Sequence, residues 1–229
     1  SEMCIRDRLY QCARYVDIYK ALDDIARERK LTPEERKEQK NFSKLADSLT
    51  PLAKGMNSEY CNQNTYDAIQ IHGGSGFMMD YPIQRYYRDA RITSIYEGTT
   101  QLQVVAAIRY VTNGSYLAQA REFEQAEVSE AMKPLVARAK AMADKLEEAT
   151  ARVKEAGDAA FHDICARHLV EMAADVTMLH LLIHNATANA ELFEKSARVY
   201  ANFSEAEVAK HHTFVMNLRP EDLADYVQA

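Results

Sequence analysis

Apolar residues recur along this chain at spacings of three and four, the pattern of amphipathic α-helices. The first run covers residues 9–30 and the second covers residues 42–71. Pro51 interrupts the second run, where it either kinks the helix or restarts it with Thr50 as the cap. The apolar positions are Leu9, Cys12, Ala13, Val16, Tyr19, Leu22 and Ala26, and then Leu45, Leu49, Leu52, Met56 and Tyr60.

Turn and capping signals separate the predicted helices. Thr32 followed by Pro33 and Glu35 predicts a helix start, because the Thr and Glu side chains can each bond to the other residue's backbone N–H. The glycines at 73–74 are expected to end the second long helix, and residues 80–82 (DYP) to form a turn. Further helices are expected over residues 85–95 and from about residue 98 to the Asn113-Gly114 pair.

The second half of the chain has the same spacing and predicts a second helical layer. Breaks are expected near Gly157 and around Phe203. Ser204 and Glu207 have the spacing of a capping box, so we expect a helix to begin there. The apolar positions are Val128, Met132, Leu135, Ala139, Met142 and Leu146, followed by Phe161, Cys165, His168, Met172, Val176, Leu179, Ile183, Ala186, Ala190 and Phe193.

Composition agrees with an all-α fold. Seven glycines and five prolines are few for 229 residues, and helix-forming residues dominate. A net charge of −6 without a basic cluster argues against nucleic acid as the main partner. No apolar run is long enough for a transmembrane helix. The four scattered cysteines lack CxxC spacing, so we expect reduced thiols in a cytoplasmic protein.

Histidines are the remaining candidate metal ligands. His180 and His184 are spaced i, i+4, but the intervening residues are apolar and no HExxH carboxylate is present. Partly buried core histidines are therefore favoured, and no metal is assigned. His211 and His212 are expected at the surface.

Residues 70–101 hold the candidate chemistry. Four of the seven glycines lie there, and glycine allows a backbone to approach a ligand closely. Glu97 lies between Tyr96 and Gly98, which could give a carboxylate an apolar wall and leave room for a substrate. For a lone glutamate, a favourable charge at a helix start would be the better interpretation.

The order of motifs in residues 42–112 resembles the C-terminal helical domain of the acyl-CoA dehydrogenases. A helix ends in QIHGGSGF at residues 70–77, and YP follows at residues 81–82. YRDAR then spans residues 87–91, and IYEGTTQLQ spans residues 95–103. The resemblance implies an all-α helical bundle, FAD as cofactor and oxidation of an acyl-CoA thioester, as in fatty acid β-oxidation.

In that family the glutamate of the YEGT motif is the catalytic base, and the resemblance carries this role to Glu97. The weakly acidic α-proton requires a positioned carboxylate whose pKa is raised by partial desolvation. A hydride leaves Cβ for the flavin, so the expected product is a trans-2-enoyl-CoA. Tyr96 and Gly98 match positions beside the substrate.

The resemblance also implies a set of residues that contact FAD, in part on the flavin of a neighbouring subunit. Paired glycines permit close backbone contact, although an ordinary helix C-cap would also explain them. Thr99 could equally be a simple N-cap. The matched positions are Gln70, Ile71, His72, Gly73, Gly74, Thr99 and Gln101.

We expect three segments along the chain. Residues 1–8 (SEMCIRDR) resemble translated sequencing adapter and are expected to be non-native. Residues 9–114 would form the helical-bundle domain, incomplete at its N-terminal side. Residues 115–229 would form a C-terminal helical extension, as in larger bacterial members, for packing or oligomerisation. A fragment without the family's flavin-binding β-domain is expected to be inactive alone.

The implied partners are an acyl-CoA substrate, an electron-transfer flavoprotein as acceptor and further subunits in a homodimer or homotetramer. The implied location is the bacterial cytoplasm. Two alternatives stay open: an acyl-CoA oxidase-like flavoenzyme, which would pass electrons to oxygen, and a non-catalytic helical interaction module.

Overall fold

The computed structural model describes residues 2–227, which contain ten α-helices, one short 3-10 helix and no β-strand. The all-α prediction is therefore confirmed for these residues. In chain order the helices are α1 (Glu2–Glu28), α2 (Pro33–His72), α3 (Gly74–Phe77), α4 (Ile83–Thr93), α5 (Thr100–Thr112), α6 (Ser115–Phe123), α7 (Lys133–Ala156), α8 (Ala159–Ala188), α9 (Ala190–Asn217), the 3-10 helix (Pro220–Asp222) and α10 (Leu223–Val227).

The helices form two compact units, and the chain passes from one to the other between Gln103 and Val104. In the first unit, α1 and α4 both pack against α2. In the second unit, α8 packs against α6, α7 and α9. The three segments expected from the sequence, including a non-native stretch at residues 1–8, stay predictions.

The capping box at the start of α2 is confirmed. The Thr32 hydroxyl accepts from the backbone N–H of Glu35 at 3.1 Å, and the Glu35 carboxylate accepts from the backbone N–H of Thr32 at 2.9 Å. Pro33 lies in the first turn. Arg29 donates to Glu35 at 2.6 Å, and this hydrogen bond holds the pKa of that carboxyl at about 2.

Helix α2 begins nine residues before the predicted start at residue 42 and is not restarted at its proline. Pro51 is buried inside the helix, and buried neighbours such as Leu49 and Leu52 stabilise the helical backbone across it through packing. The hydroxyl of Thr50 donates to the carbonyl of Ala46 at 2.7 Å, within the helix, so it does not cap a new one.

The predicted apolar stripe of α1 is partly wrong. Leu9 is 58% exposed, and Ala13 and Ala26 are also exposed. The contact face with α2 decides burial here, and Arg8 lies on that face with its guanidinium 5.2 Å from the ring centroid of Tyr60. The residues buried on α1 are Cys4, Asp7, Arg8, Tyr15 and Leu22.

The break between α8 and α9 lies at Asn189, so the break and capping box expected around Phe203 are wrong. Asn189 caps α9, since its side chain accepts from the backbone N–H of Leu192 at 3.2 Å. Ser204 is buried inside α9, and its hydroxyl donates to the carbonyl of Tyr200 at 2.8 Å. Its hydroxyl is therefore engaged within the helix rather than at an end.

Helix α8 is buried along most of its length, and residues 172–183 are buried on all sides of the helix. Its buried Asp175 accepts from the hydroxyl of Tyr200 at 2.6 Å. Cys165 is a buried free thiol, and burial raises its pKa to about 11. Within residues 2–227, the apolar stretches of the helices are too short for a bilayer crossing.

Candidate active site

The candidate base lies in a tight turn between α4 and α5. Helix α4 ends at Thr93, and the backbone N–H of Thr100, the first residue of α5, donates to the carbonyl of Ser94 at 3.1 Å. Glu97 has a φ of 53°, in the left-handed region that non-glycine residues rarely adopt. This backbone conformation costs about 1 to 2 kcal/mol and persists only where the surroundings fix it.

Helix α2 holds both ends of this turn. The Nζ of Lys54 donates to the carbonyl of Thr93 at 2.8 Å and to the carbonyl of Gly98 at 2.6 Å. The hydroxyl of Thr100 donates to the carboxylate of Glu59 at 2.6 Å. Two side chains of one helix therefore fix the backbone on either side of the candidate base.

Gly98 could not be replaced without strain. Its φ is 94°, which favours glycine, and a Cβ there would lie 2.7 Å from the Nε2 atom of Gln103. The same Nε2 donates to the Gly98 carbonyl at 3.4 Å. The glycine in the motif is thus required by the backbone of the turn.

The side chains at the top of the turn face outward. Glu97 is exposed, and Tyr96 is 50% exposed with its ring centroid 5.9 Å from the Lys54 Nζ. The neighbouring Ile95 is 44% exposed. The carboxylate is therefore accessible to a ligand, and the partial desolvation expected from the sequence is not provided by these neighbours.

The predicted flavin-contacting segment forms the end of α2 and the start of α3. Gln70, Ile71 and His72 are exposed, as are both following glycines. The Nδ1 of His72 donates to the carbonyl of Ala68 at 2.8 Å, which directs the other ring nitrogen away from this carbonyl. Apart from atoms of residues adjacent in the sequence, no heavy atom of the described residues lies within 4 Å of a Cβ built on Gly73 or Gly74, so the backbone there is open to a ligand.

Gly76 permits α3 to fold back onto α2. A Cβ at this buried position would lie 2.6 Å from the carbonyl oxygen of Ile69 and 2.8 Å from the Cβ of His72. The third glycine of the HGGSG sequence is therefore required by packing, while the first two remain available for binding.

The two halves of the predicted site do not converge. Gln70 lies sixteen residues beyond Lys54 on one continuous helix, which is a distance of about 24 Å along the helix axis. Because Lys54 touches the Glu97 turn, the turn and the glycine segment lie at separate places along α2.

Thr99 directly precedes α5 and Gln101 lies in its first turn, so both residues are close in sequence to Glu97. Both side chains are exposed. The hydroxyl of Thr99 accepts from the backbone N–H of Leu102 at 3.3 Å, so the N-cap interpretation of Thr99 is correct. A capping hydroxyl retains a lone pair and a proton, and ligand binding is compatible with this role.

Sequence reasoning missed Lys54 and Glu59. The sequence carried no signal for the lysine, because it lies outside the predicted apolar face and the burial of the adjacent Ala53 and Gly55 is known only from the structure. Its acceptors lie 39 and 44 residues away, and no local pattern identifies them.

A second group of titratable residues lies between α8 and α9. His211 is buried, so the expectation of a surface histidine is wrong there. Its Nε2 lies 2.8 Å from the Glu171 carboxylate and its Nδ1 lies 2.8 Å from the Nδ1 of His168. Burial lowers the pKa of His168, and His211 lowers it further. Burial opposes the ionised form of Glu171, but hydrogen bonds from His211 and Arg167 hold its pKa at about 2.

The histidine pair of α8 is split between core and surface. His180 is buried, its Nδ1 donates to the carbonyl of Val176 at 2.7 Å, and its Nε2 lies 3.3 Å from Glu124. His184 is exposed, against the expectation of partial burial, and its ring lies 5.4 Å from that of Phe123. Across residues 2–227, no three His, Cys, Asp or Glu side chains are arranged to hold a metal ion.

Two family models match nearly the whole chain. The model described as "Acyl-CoA dehydrogenase, C-terminal domain" matches residues 5–110, and the one described as "Acyl-CoA dehydrogenase C terminal" matches residues 112–223.

Curated relatives match a shorter segment. The broad-specificity linear acyl-CoA dehydrogenase FadE5 of Mycobacterium tuberculosis is 48% identical over 60 residues, which is 26% of this chain and 10% of that protein. The caffeyl-CoA reductase-Etf complex subunit CarC of Acetobacterium woodii is 47% identical over 60 residues, 26% of this chain and 16% of that protein. The matched segment thus spans a small part of these relatives.

The fold also occurs in a solved structure. The acyl-CoA dehydrogenase of Bacillus anthracis, crystallised in complex with FAD, aligns with a TM-score of 0.66 and 19% identity. The alignment covers 93% of this chain and 39% of that protein.

Proposed function

This chain belongs to the acyl-CoA dehydrogenase family, and we propose that it serves α,β-desaturation of an acyl-CoA thioester to a trans-2-enoyl-CoA. When bound, FAD supplies the acceptor for the hydride that leaves Cβ. The chain itself supplies the base for the proton on Cα. The observation that carries this proposal is the turn at Glu97, where an exposed carboxylate is held in a strained backbone by two side chains of α2.

Glu97 is the proposed base. A carboxylate removes a weakly acidic proton efficiently only when it is held in position, and strained backbones that the surroundings fix are found at such sites. Tyr96 and Gly98 flank it and are proposed to contact the substrate. The half-exposed Tyr96 ring offers an apolar surface, and glycine at position 98 permits the φ of 94° that the turn next to the base requires.

The chain's residues fit a flavin at two places. The backbone at Gly73 and Gly74 is open, and the exposed residues Gln70, Ile71 and His72 directly precede it in the sequence. Thr99 and Gln101 present a hydroxyl and an amide beside the base. Since these two groups lie far apart on one chain, we propose that they contact the flavins of different subunits, which requires a homodimer or homotetramer.

An electron-transfer flavoprotein is the proposed electron acceptor. One relative, 47% identical over 60 residues, is named as the subunit of a reductase–Etf complex. That relative's name describes reduction, and one carboxyl group can serve either direction, because the group that takes the α-proton in desaturation returns it in reduction.

Replacement of Glu97 by glutamine tests the proposal. In the protein that carries this chain, Glu97→Gln should keep FAD content and ligand binding and lose flavin reduction by acyl-CoA, measured by anaerobic bleaching of the flavin. Glu38→Gln, an exposed glutamate on α2, should behave as the parent. Near-normal reduction in Glu97→Gln would refute the assignment. Oxygen consumption without added acceptor would instead indicate an oxidase, and absence of flavin in the parent would favour a non-catalytic module.

A further inference from the structure

We propose, resting on the proposed function, that Lys54 is the positioning residue for the Glu97 carboxylate. It acts through the backbone of the turn and not through the substrate. Its ammonium group joins the last carbonyl of α4 to the carbonyl that directly follows the base, at Thr93 and Gly98. One side chain therefore spans both ends of the segment on which Glu97 is held.

The chemistry of lysine suits this task. An ammonium carries three donors on a compact head, so it can serve two carbonyls and still lie near the Tyr96 ring. Hydrogen bonds from a charged donor are shorter and stronger than neutral ones. The distances of 2.8 and 2.6 Å to the Thr93 and Gly98 carbonyls agree with this.

The position of Lys54 on α2 makes it a fixed anchor. The residues on either side, Ala53 and Gly55, are buried, so the helix backbone at this point is packed in the core of the first unit. The Lys54 side chain is half-buried and reaches from this core to the turn. The turn is consequently held relative to a rigid element rather than to another loop.

The consequence of losing this anchor is a change in the direction of the base. Glu97 has a φ of 53°, and the backbone would relax to a negative φ if its ends were released. Such a relaxation turns the Cα–Cβ bond and moves the carboxylate away from the α-proton. Misplacement of a reacting group by about 1 Å is sufficient to slow a reaction on the order of 100-fold.

The test compares three variants of the protein that carries this chain. Lys54→Met removes the donors at nearly constant length, and Lys54→Arg restores a cationic donor. Lys44→Met, an exposed lysine on the same helix, is the matched control. The measurements are FAD content, KM for acyl-CoA, the rate of anaerobic flavin reduction and amide hydrogen exchange in residues 94–102.

Lys54→Met should slow flavin reduction by about 10- to 100-fold, a larger effect than on KM or FAD content, because the direction of the base depends on the turn whereas the flavin segment at residues 70–74 lies away from it. In this variant the backbone amide hydrogens of residues 94–102 should exchange faster with solvent, because the hydrogen bond from the Thr100 N–H closes the turn. Lys54→Arg should recover much of the rate, and Lys44→Met should match the parent. If Lys54→Met does not fold, Lys54→Leu, which also lacks donors, is measured in its place with the same expectations.

Two results would overturn the positioning role. One is flavin reduction at the parent rate in Lys54→Met. The other is a loss of rate that follows only a loss of FAD or of folded protein, with unchanged exchange in the turn. A parent that reduces no flavin with any acyl-CoA would contradict the proposed function instead, and the exchange measurement would still decide whether Lys54 holds the turn.

Discussion

The hydroxyl of Thr100 donates to the carboxylate of Glu59 at 2.6 Å, joining the first turn of α5 to the middle of α2. Thr100 is buried, and its backbone N–H closes the preceding turn onto Ser94. Thr100 therefore holds the C-terminal end of the turn by a side-chain and a main-chain hydrogen bond at once.

Removal of this hydroxyl should lower stability. Thr100→Val keeps the shape of the side chain and leaves the Glu59 carboxylate without this donor, so the free energy of unfolding should fall by about 1 to 2 kcal/mol. Thr112→Val is the control on the same helix, because its hydroxyl bonds only to carbonyls of α5. Urea unfolding of both variants would measure the difference, and equal losses would show that the Glu59 contact adds nothing.

Relief of the strain at the base should have the opposite effect. Glycine tolerates the left-handed region, so Glu97→Gly should raise the free energy of unfolding by about 0.5 to 1 kcal/mol after the entropic cost of glycine, and should abolish turnover. Glu38→Gly, in the exposed interior of α2, should instead cost about 1 kcal/mol. A loss of stability in Glu97→Gly comparable to that of Glu38→Gly would mean that the turn is not strained.

Substitution by alanine should have different effects on stability at Gly74 and at Gly76. Gly76→Ala places a Cβ against the Ile69 carbonyl and should destabilise by about 1 to 3 kcal/mol. Gly74→Ala meets open space, so stability should stay within about 0.5 kcal/mol while FAD affinity falls. Titration of the apoprotein with FAD, beside urea unfolding, tests both. Undiminished affinity in Gly74→Ala would remove this glycine from the flavin site.

The contact between α8 and α9 should be sensitive to acid. The pKa of Glu171 is about 2 in the folded chain against an ordinary 4.5, so its stabilisation is complete above pH 4.5 and is lost as the pH falls towards 2. His168, whose pKa is also lowered, adds a loss of the same sign as the pH falls below its ordinary 6.5.

Glu171→Gln should remove roughly 2 to 3 kcal/mol of stability near pH 6 and flatten the acid limb of the profile. Glu148→Gln is the control, since this acid is 58% exposed and contacts the neighbouring His212. Amide hydrogen exchange in α8 and α9, measured between pH 2 and 7, would report the loss of stability of this contact. An unchanged acid limb in Glu171→Gln would assign the acid sensitivity to other groups.

Local sequence patterns predicted helix ends well where no distant contact intervened. Thr32 and Ser204 have the same spacing to a following glutamate, yet only Thr32 begins a helix. Pro33 follows Thr32 and favours a helix start, whereas Ser204 is fully buried within α9. The apolar face of α1 was misassigned for the same reason, because packing on α2 and not periodicity alone decided it.

The sequence motif of the candidate site could be predicted, but the side chains that hold its backbone in place could not. The turn at Glu97 and the open glycines follow from short motifs that can be read locally. The hydrogen bonds of Lys54 and Glu59 join residues separated by 39 to 44 positions. Contacts of this range depend on how α2 lies against α4 and residues 94–103, which no spacing along the chain records.

Lys54, near the middle of α2, contacts the turn that carries Glu97, and the glycines at 73–74 follow the C-terminal end of the same helix. The stretch from Lys54 to Gln70 contains no proline and is continuous helix. A tilt of about 3° around Lys54 displaces the far end, about 24 Å away, by about 1.3 Å. Because Lys54 lies at the pivot of such a tilt, a ligand can shift the glycine segment while the anchor of the base stays in place.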